Sequence, residues 1–200
     1  MPGTRSLPDR ATIAPYLKTI LLVFGMSVLG AVVLTEMVDI SSISGRVITD
    51  PAALQANLAG IESGAFFIRL VLNNGLIALM VITSAIFRTK FIPQFFIFWN
   101  GFVLTIYSLT IVQAIGSLEF LSAFLPHAVI EIPALLLAAT YATHAVDRFR
   151  AEHMTWRIDP DSARWYLLIP YLYQVVPIIV VAAAIETFIS LPVLKLVVGV

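Results

Sequence analysis

Residues 67–111 read FIRLVLNNGLIALMVITSAIF-RTK-FIPQFFIFWNGFVLTIYSLTI, and this stretch decides the fold. It contains two long apolar runs, Phe67–Phe87 and Phe91–Ile111, separated by a short basic turn. A helix needs about 20 apolar residues to cross roughly 30 Å of hydrocarbon. Because backbone groups in lipid must bond internally, a helix is the natural structure for such runs. The stretch therefore predicts a transmembrane helical hairpin.

The same pattern recurs along the rest of the chain. It predicts five transmembrane helices, at about 16–38, 67–87, 91–111, 121–146 and 165–188. The composition agrees, since 60% of the residues are hydrophobic and only 12% are charged, whereas a soluble domain has about 25% charged residues. We predict an all-α, polytopic membrane helix bundle that forms one membrane-embedded domain over residues 1–200, in the cell membrane of a prokaryote.

The basic residues indicate the orientation. Nine of the twelve lie before the first helix or in the loops between helices two and three and between helices four and five. By the positive-inside rule, the N-terminus is cytoplasmic and the C-terminus is outside. Between the first two helices, Asp50 followed by Pro51 is typical of a helix start, and apolar residues then recur at helical spacing. We expect a short amphipathic helix at about 50–63 on the outer surface.

Polar residues inside the apolar runs are the candidate site, because an ionisable group at the bilayer centre costs roughly 2.5–3.5 kcal/mol. Glu36 and Glu186 are weaker candidates, since carboxylates near helix ends can reach interfacial water. The predicted orientation places Asn100 close to the middle of the membrane and the rest of the cluster in the outer half of the bundle. The cluster consists of Arg69, Asn73, Asn74, Asn100, His127, Glu131 and Glu186.

His127 and Glu131 are one helical turn apart and share a face, and Pro126 and Pro133 weaken the backbone ladder around them. One interpretation is a hydrated outward-facing pocket in which Glu131, tuned by His127 and Arg69, exchanges protons or binds a cation. The other is that these groups form hydrogen bonds between helices and fix the packing.

Other chemistry finds no support in the sequence. There is no cysteine, no phosphate-binding loop, no H-E-x-x-H pair and no G-x-S-x-G elbow. The three histidines lie at separated depths, which argues against a metal site, and no cofactor is expected. Net formal charge is zero, so nothing points to nucleic acid. We predict that the protein is not an enzyme; a lipid-directed activity would have only His127 and Glu131 behind it.

Three stretches form a pattern of their own: LNNG at 72–75 with WNG at 99–101, LPHAVIEIPA at 125–134, and AAAIE at 182–186. In this order they resemble the stage II sporulation protein M family of integral membrane proteins. Ala128 and the alanine-rich stretch 138–142 stand where family members are often richer in glycine. The resemblance implies a membrane bundle and a role in membrane complexes, since the sporulating member acts in an engulfment complex with peptidoglycan-degrading partners.

Two functions follow for testing. The first is a non-enzymatic component that assembles or recruits partners at the membrane. The alternative is a proton- or cation-coupled transporter or channel that uses the polar pocket around Glu131, and a homodimer would supply it with ten helices. The expected partners are the lipid bilayer and either other membrane proteins or a second copy of the chain.

Overall fold

The computed structural model describes residues 8–37, 61–115, 117–151 and 159–198; for 111, 113–115, 118–128 and 197–198 it describes the backbone alone. Five long helices cover these ranges: α1 Arg10–Met37, α2 Ser63–Thr83, α3 Phe91–Ile115, α4 Ser117–Ala151 and α5, 160–198. All five are long and apolar enough to cross a membrane, and the described ranges contain no strand. The predicted all-α membrane bundle is confirmed, while the direction in which its helices cross the membrane stays a prediction.

The helices extend beyond the apolar runs that predicted them, because local caps and turns set their ends. α1 begins at Arg10, where the Thr12 backbone amide donates to Asp9 Oδ1 at 2.8 Å. Hydrogen bonds from the Thr12 hydroxyl and amide stabilise the ionised carboxylate and lower the pKa of Asp9. The predicted surface helix at 50–63 lies outside the described residues, apart from its last three. Of these, Ile61 and Glu62 are not helical and Ser63 begins α2.

The basic turn between α2 and α3 is compact. α2 continues into a 3₁₀ turn, Ser84–Phe87, and Arg88 follows in the left-handed conformation with φ of 55°. The Arg88 amide donates to the Ala85 carbonyl at 2.8 Å, and the Arg88 carbonyl accepts from Arg150 Nε at 2.9 Å. The turn is thereby attached to the end of α4.

α4 is the central helix and packs against each of the other four. Its contact surface consists largely of small residues with no exposed area, among them Ala134, Ala138, Ala139 and Ala142. Small side chains let helix backbones approach closely in membranes. Alanine therefore forms the tight contacts for which the family resemblance suggested glycine.

α1 packs against α3 at Gly101. A Cβ atom at this position would lie 2.2 Å from Ser27 Oγ and 2.9 Å from the Phe24 ring. Ser27 is fully buried, and its hydroxyl donates to the Phe24 carbonyl at 2.6 Å. The absence of a side chain at Gly101 is therefore what allows α1 to cross α3 so closely.

α5 is helical throughout but contains three π-helical segments, Arg164–Leu168, Tyr171–Val175 and Glu186–Ser190. Each is followed two residues later by a proline: Pro170, Pro177 or Pro192. Proline lacks an N–H and clashes with the carbonyl four residues earlier, and a wider turn relieves that clash. This is why the helix continues ten residues beyond the predicted end at 188, through Pro192 to 198.

Candidate functional site

All five helices line a partly open cavity of about 230 Å³. Its walls are mainly apolar and include Phe24 of α1, Leu70 of α2 and Ile97 of α3. Four polar side chains from four different helices interrupt these walls: Asn74 of α2, Asn100 of α3, Glu131 of α4 and Glu186 of α5. The structure thus brings together four of the seven polar residues singled out in the sequence.

The two carboxyl groups in the cavity are close enough to interact electrostatically. Glu131 and Glu186 are each half-buried. Among the side chains that the structure describes, none forms a hydrogen bond or an ion pair with either of them. Two carboxylates with no counter-charge repel each other more strongly here than in water, since the effective dielectric constant is lower. A proton or a small cation between them would relieve that repulsion.

The two amides differ in how they are held. The Asn100 Nδ2 group donates to the Phe96 carbonyl of its own helix at 2.7 Å, which leaves the Asn100 amide oxygen without a described donor. Asn74 is only 6% exposed, and its Oδ1 accepts from Asn73 Nδ2 at 3.1 Å. The cavity therefore presents carboxylate and amide oxygens, which are the ligand atoms of hard cations. The described residues contain no group of three or more His, Cys, Asp or Glu that could hold a metal ion.

Glu186 occupies a special position in the backbone of α5. It is the first residue of the third π-helical segment, and its carbonyl accepts the amide of Leu191, five residues later. Thr187 and Ser190 in the same segment are buried, and among the residues that the structure describes their hydroxyl oxygens have no hydrogen-bond partner. π-Helical turns inside α-helices occur frequently at functional sites. The backbone of α5 is therefore irregular at the point where it brings Glu186 to the cavity.

Arg69 and Asn73 lie on the outside of α2. Both are exposed and border a shallow groove with Ile68, Leu72 and neighbouring residues. The structure does not bring Arg69 to Glu131, because the two side chains of α2 that face the cavity, Leu70 and Asn74, lie on another face of the helix.

For the remaining candidates from the sequence, the structure describes some side chains and not others. His127 lies one turn before Glu131 in α4, and its side chain is outside the description, as is that of Pro126. Pro133 is exposed, and α4 continues through both prolines without interruption. Glu36 is exposed in the last turn of α1.

The sequence analysis missed a second polar cluster, at the end of the bundle that carries the basic turn. Asp147 Oδ2 accepts from Lys90 Nζ at 2.7 Å and from the Tyr16 hydroxyl at 2.9 Å, which connects α1, α4 and the start of α3. Lys90 lies 5.6 Å from the centre of the Tyr16 ring, and His144 meets that ring edge-on at 5.4 Å. The signal in the sequence is a carboxylate just beyond one apolar run and a lysine just before another.

Two tyrosines connect helices inside the bundle. The Tyr171 hydroxyl of α5 donates to the Gly75 carbonyl of α2 at 2.9 Å, and the Tyr141 hydroxyl of α4 donates to Gln174 Oε1 of α5. The sequence analysis singled out neither Tyr171 nor Gln174. Both hydrogen bonds satisfy polar groups that have no water to bond to inside the lipid.

The comparisons with known proteins agree with this architecture. A family model described as stage II sporulation protein M matches residues 19–191, from α1 into α5, and so includes all four polar residues of the cavity. Comparison with curated proteins and with solved structures gives no match. The matched stretch covers most of the chain, and it confirms the resemblance found in the sequence motifs. The protein is an integral membrane protein and belongs to the stage II sporulation protein M family.

Proposed function

We propose that the protein takes up protons or small cations at the Glu131–Glu186 pair and moves them across the membrane as a coupled transporter or channel. One observation carries this proposal: two carboxyl groups from different helices face one intramembrane cavity and lack a described hydrogen-bond or ion-pair partner. Intramembrane carboxylates are functional candidates by default, since their burial is costly.

If Glu131 and Glu186 had a purely structural role, they would be expected to form hydrogen bonds between helices. Polar residues that fix helix packing do so through hydrogen bonds between helices, as Tyr171 does with the Gly75 carbonyl. Glu131 and Glu186 make no such bond within the described part of the bundle. This contrast favours exchange of a proton or cation over packing.

The volume of the cavity limits the class of ligand. At about 230 Å³ it is smaller than the roughly 300–1,000 Å³ of pockets for small organic molecules. Each water molecule takes about 30 Å³ in the liquid, so the space suits a few waters together with a proton or an inorganic cation. Organic substrates are therefore not part of the proposal.

Flux measurements in proteoliposomes test the proposal. Proton and monovalent-cation flux is measured for the wild type, Glu131→Gln and Glu186→Gln, with Glu36→Gln as the matched control outside the cavity. We expect both cavity variants to lose most of the flux while remaining folded, and the control to retain it. Unchanged flux in both cavity variants would rule the proposal out.

A second candidate function, a non-enzymatic component that assembles membrane partners, is favoured by an aromatic ridge on α3. Phe91, Phe95 and Trp99 stack in sequence, with ring centroids 5.8 and 6.4 Å apart, and each ring is about half exposed or more. Trp99 lies about 12 Å along α3 from Phe91 at 1.5 Å per residue, deeper than the interfacial belt in which tryptophan is usually found.

The assembly function is tested by mild-detergent pull-down with native mass measurement. A stoichiometric partner that is lost in Trp99→Ala and retained in Tyr107→Ala would support it, since Tyr107 is similarly exposed. Recovery of a monomer alone, in both variants and the wild type, would contradict it. Neither function involves catalysis.

A further inference from the structure

A second concave surface lies on the outside of the bundle, at the end that carries the basic turn. It is a groove of about 340 Å³ between the last turns of α2 and the first turns of α5. Its walls are almost wholly apolar. They include Leu79 and Ile82 of α2, Ile86 of the 3₁₀ turn that follows it, and Leu167 and Leu168 of α5. Ile86 and Leu168 are each about half exposed, so the groove opens toward the surrounding membrane rather than into the cavity at Glu131.

One cation borders this apolar groove. Arg164 begins the first π-helical segment of α5, is exposed, and is among the lining residues. No described residue pairs with its guanidinium. The nearby Asp159 carboxylate instead caps the helix, since it accepts from the Ser162 amide at 3.1 Å and from the Ser162 hydroxyl at 3.2 Å. An apolar groove with a cation at its rim has the same amphipathic pattern as a phospholipid, in which acyl chains follow an anionic phosphate.

We infer that this groove binds an anionic phospholipid, with one acyl chain between α2 and α5 and the phosphate at Arg164. Charge complementarity selects the headgroup, because the exposed Arg164 lines the groove and the predicted orientation places this end of the bundle at the cytoplasmic leaflet. That leaflet is rich in anionic lipids, and basic pockets between transmembrane helices on this side bind their headgroups. The inference is independent of the function proposed for the cavity.

Native mass spectrometry of the full-length protein released from vesicles of mixed phosphatidylglycerol and phosphatidylcholine tests the site. Leu168→Trp fills the groove with a larger side chain. Leu172→Trp is the matched control, because Leu172 lies one turn further along α5, is equally exposed (47% against 46%) and does not line the groove. Arg164→Gln removes the cation and leaves the apolar walls intact.

We expect the wild type and Leu172→Trp to retain phosphatidylglycerol in about fivefold preference over phosphatidylcholine, the ratio that one basic side chain near an anionic surface supports. Leu168→Trp should lose the retained lipid. Arg164→Gln should retain lipid but lose the preference, and glycerol phosphate, which carries the headgroup without the chains, should not compete.

Equal retention of the two lipids by the wild type, or an unchanged preference in Arg164→Gln, would overturn the inference. So would retention in Leu168→Trp at the wild-type level or displacement of the lipid by glycerol phosphate. A second copy of the chain seated in the groove in place of lipid would also contradict it; that occupant would appear as a dimer that Leu168→Trp dissociates without any loss of lipid.

Discussion

α4 holds two carboxylates in opposite ways, one near its basic end and one near its middle. Asp147 lies at the basic end and receives both the Lys90 ammonium and the Tyr16 hydroxyl. Glu131 is sixteen residues earlier, about 24 Å away along the helix axis at 1.5 Å per residue, and faces Glu186 across the cavity. Asp147 has a cation and a hydroxyl donor, whereas Glu131 has a second carboxyl group. Asp147 has partners that stabilise the bundle, whereas Glu131 has none among the described side chains. The contrast therefore favours packing as the role of Asp147 and the proposed exchange as the role of Glu131.

The largest expected change in the free energy of unfolding comes from a substitution that disturbs the packing of α1 on α3 beside the cavity. Gly101→Val places a side chain against Ser27 and Phe24, where even a Cβ atom would be 2.2 Å from Ser27 Oγ. Overpacking of this kind typically costs about 1–3 kcal/mol, and we expect the upper end, because Ser27 is fully buried. The free energy of unfolding in micelles measures it.

Gly30→Val in α1 is the control for that change, since no atom lies within 4 Å of a Cβ built there. It should change stability far less than Gly101→Val. If the two variants were equally stable, close packing of α1 on α3 would not be what holds Asn100 and Phe24 at the cavity.

The next largest effect compares the contribution of Asp147 to stability with that of the two cavity carboxylates. Asp147→Asn removes the charge that holds Lys90, and we expect a loss of about 1 kcal/mol after allowance for solvent screening of a pair that is about one-third exposed. Raised salt should reduce the difference from the wild type. Unfolding of both proteins at low and high ionic strength is the measurement.

By contrast, Glu131→Gln and Glu186→Gln should leave the free energy of unfolding unchanged or increase it. Neither substitution removes a described hydrogen bond, and each removes the repulsion between the two carboxylates. If Glu131→Gln destabilised the protein more than Asp147→Asn, Glu131 would be a packing residue and the contrast would fail.

A smaller effect is expected for the bond between α5 and α2. Tyr171→Phe removes the hydroxyl that donates to the Gly75 carbonyl, and interhelical hydrogen bonds in membranes contribute about 0.6 kcal/mol on average. Tyr173→Phe is the control, since Tyr173 is 73% exposed and forms no described hydrogen bond. Equal unfolding free energies for the two variants would show that the Tyr171 bond does not contribute to stability.

The smallest effect concerns Asp9, a carboxylate outside the apolar segment. Its folded-state pKa is lowered from the ordinary value of 3.8 by the hydrogen bonds from Thr12. The cap is therefore fully formed above that value and is lost as the pH falls through the lowered one. NMR of the Thr12 amide should show the first turn of α1 fraying in this range, and Asp9→Asn should abolish the transition.

Much of the fold could be predicted because lipid imposes one rule on every segment. The run Phe67–Phe87 is a helix wherever it is placed in a bilayer, since no other structure satisfies its backbone. The ends of the helices were harder to predict, because they depend on individual contacts. Asp9 extends α1, and a π-helical turn before Pro192 lets α5 continue beyond its predicted end at 188.

The candidate site could be predicted as a set of residues but not as an arrangement. Glu131, Glu186, Asn74 and Asn100 were identified because polar groups are expensive in lipid. Which of them face one another depends on the rotation of each helix, and an apolar run on every side leaves that rotation undetermined. Arg69 illustrates this, since it is only five residues from Asn74 and yet lies outside the cavity.

The sequence by itself determined that this protein is a five-helix membrane bundle, which residues inside it are costly, and to which family it belongs. The tertiary structure alone decided that Glu131 and Glu186 share a cavity, that Asp147 is neutralised by Lys90, and that an apolar groove ends at Arg164. The physical reason is that burial in lipid acts on each segment separately. The partners of a polar side chain are fixed only when small residues such as Ala138 and Gly101 set how closely, and at what rotation, the helices meet.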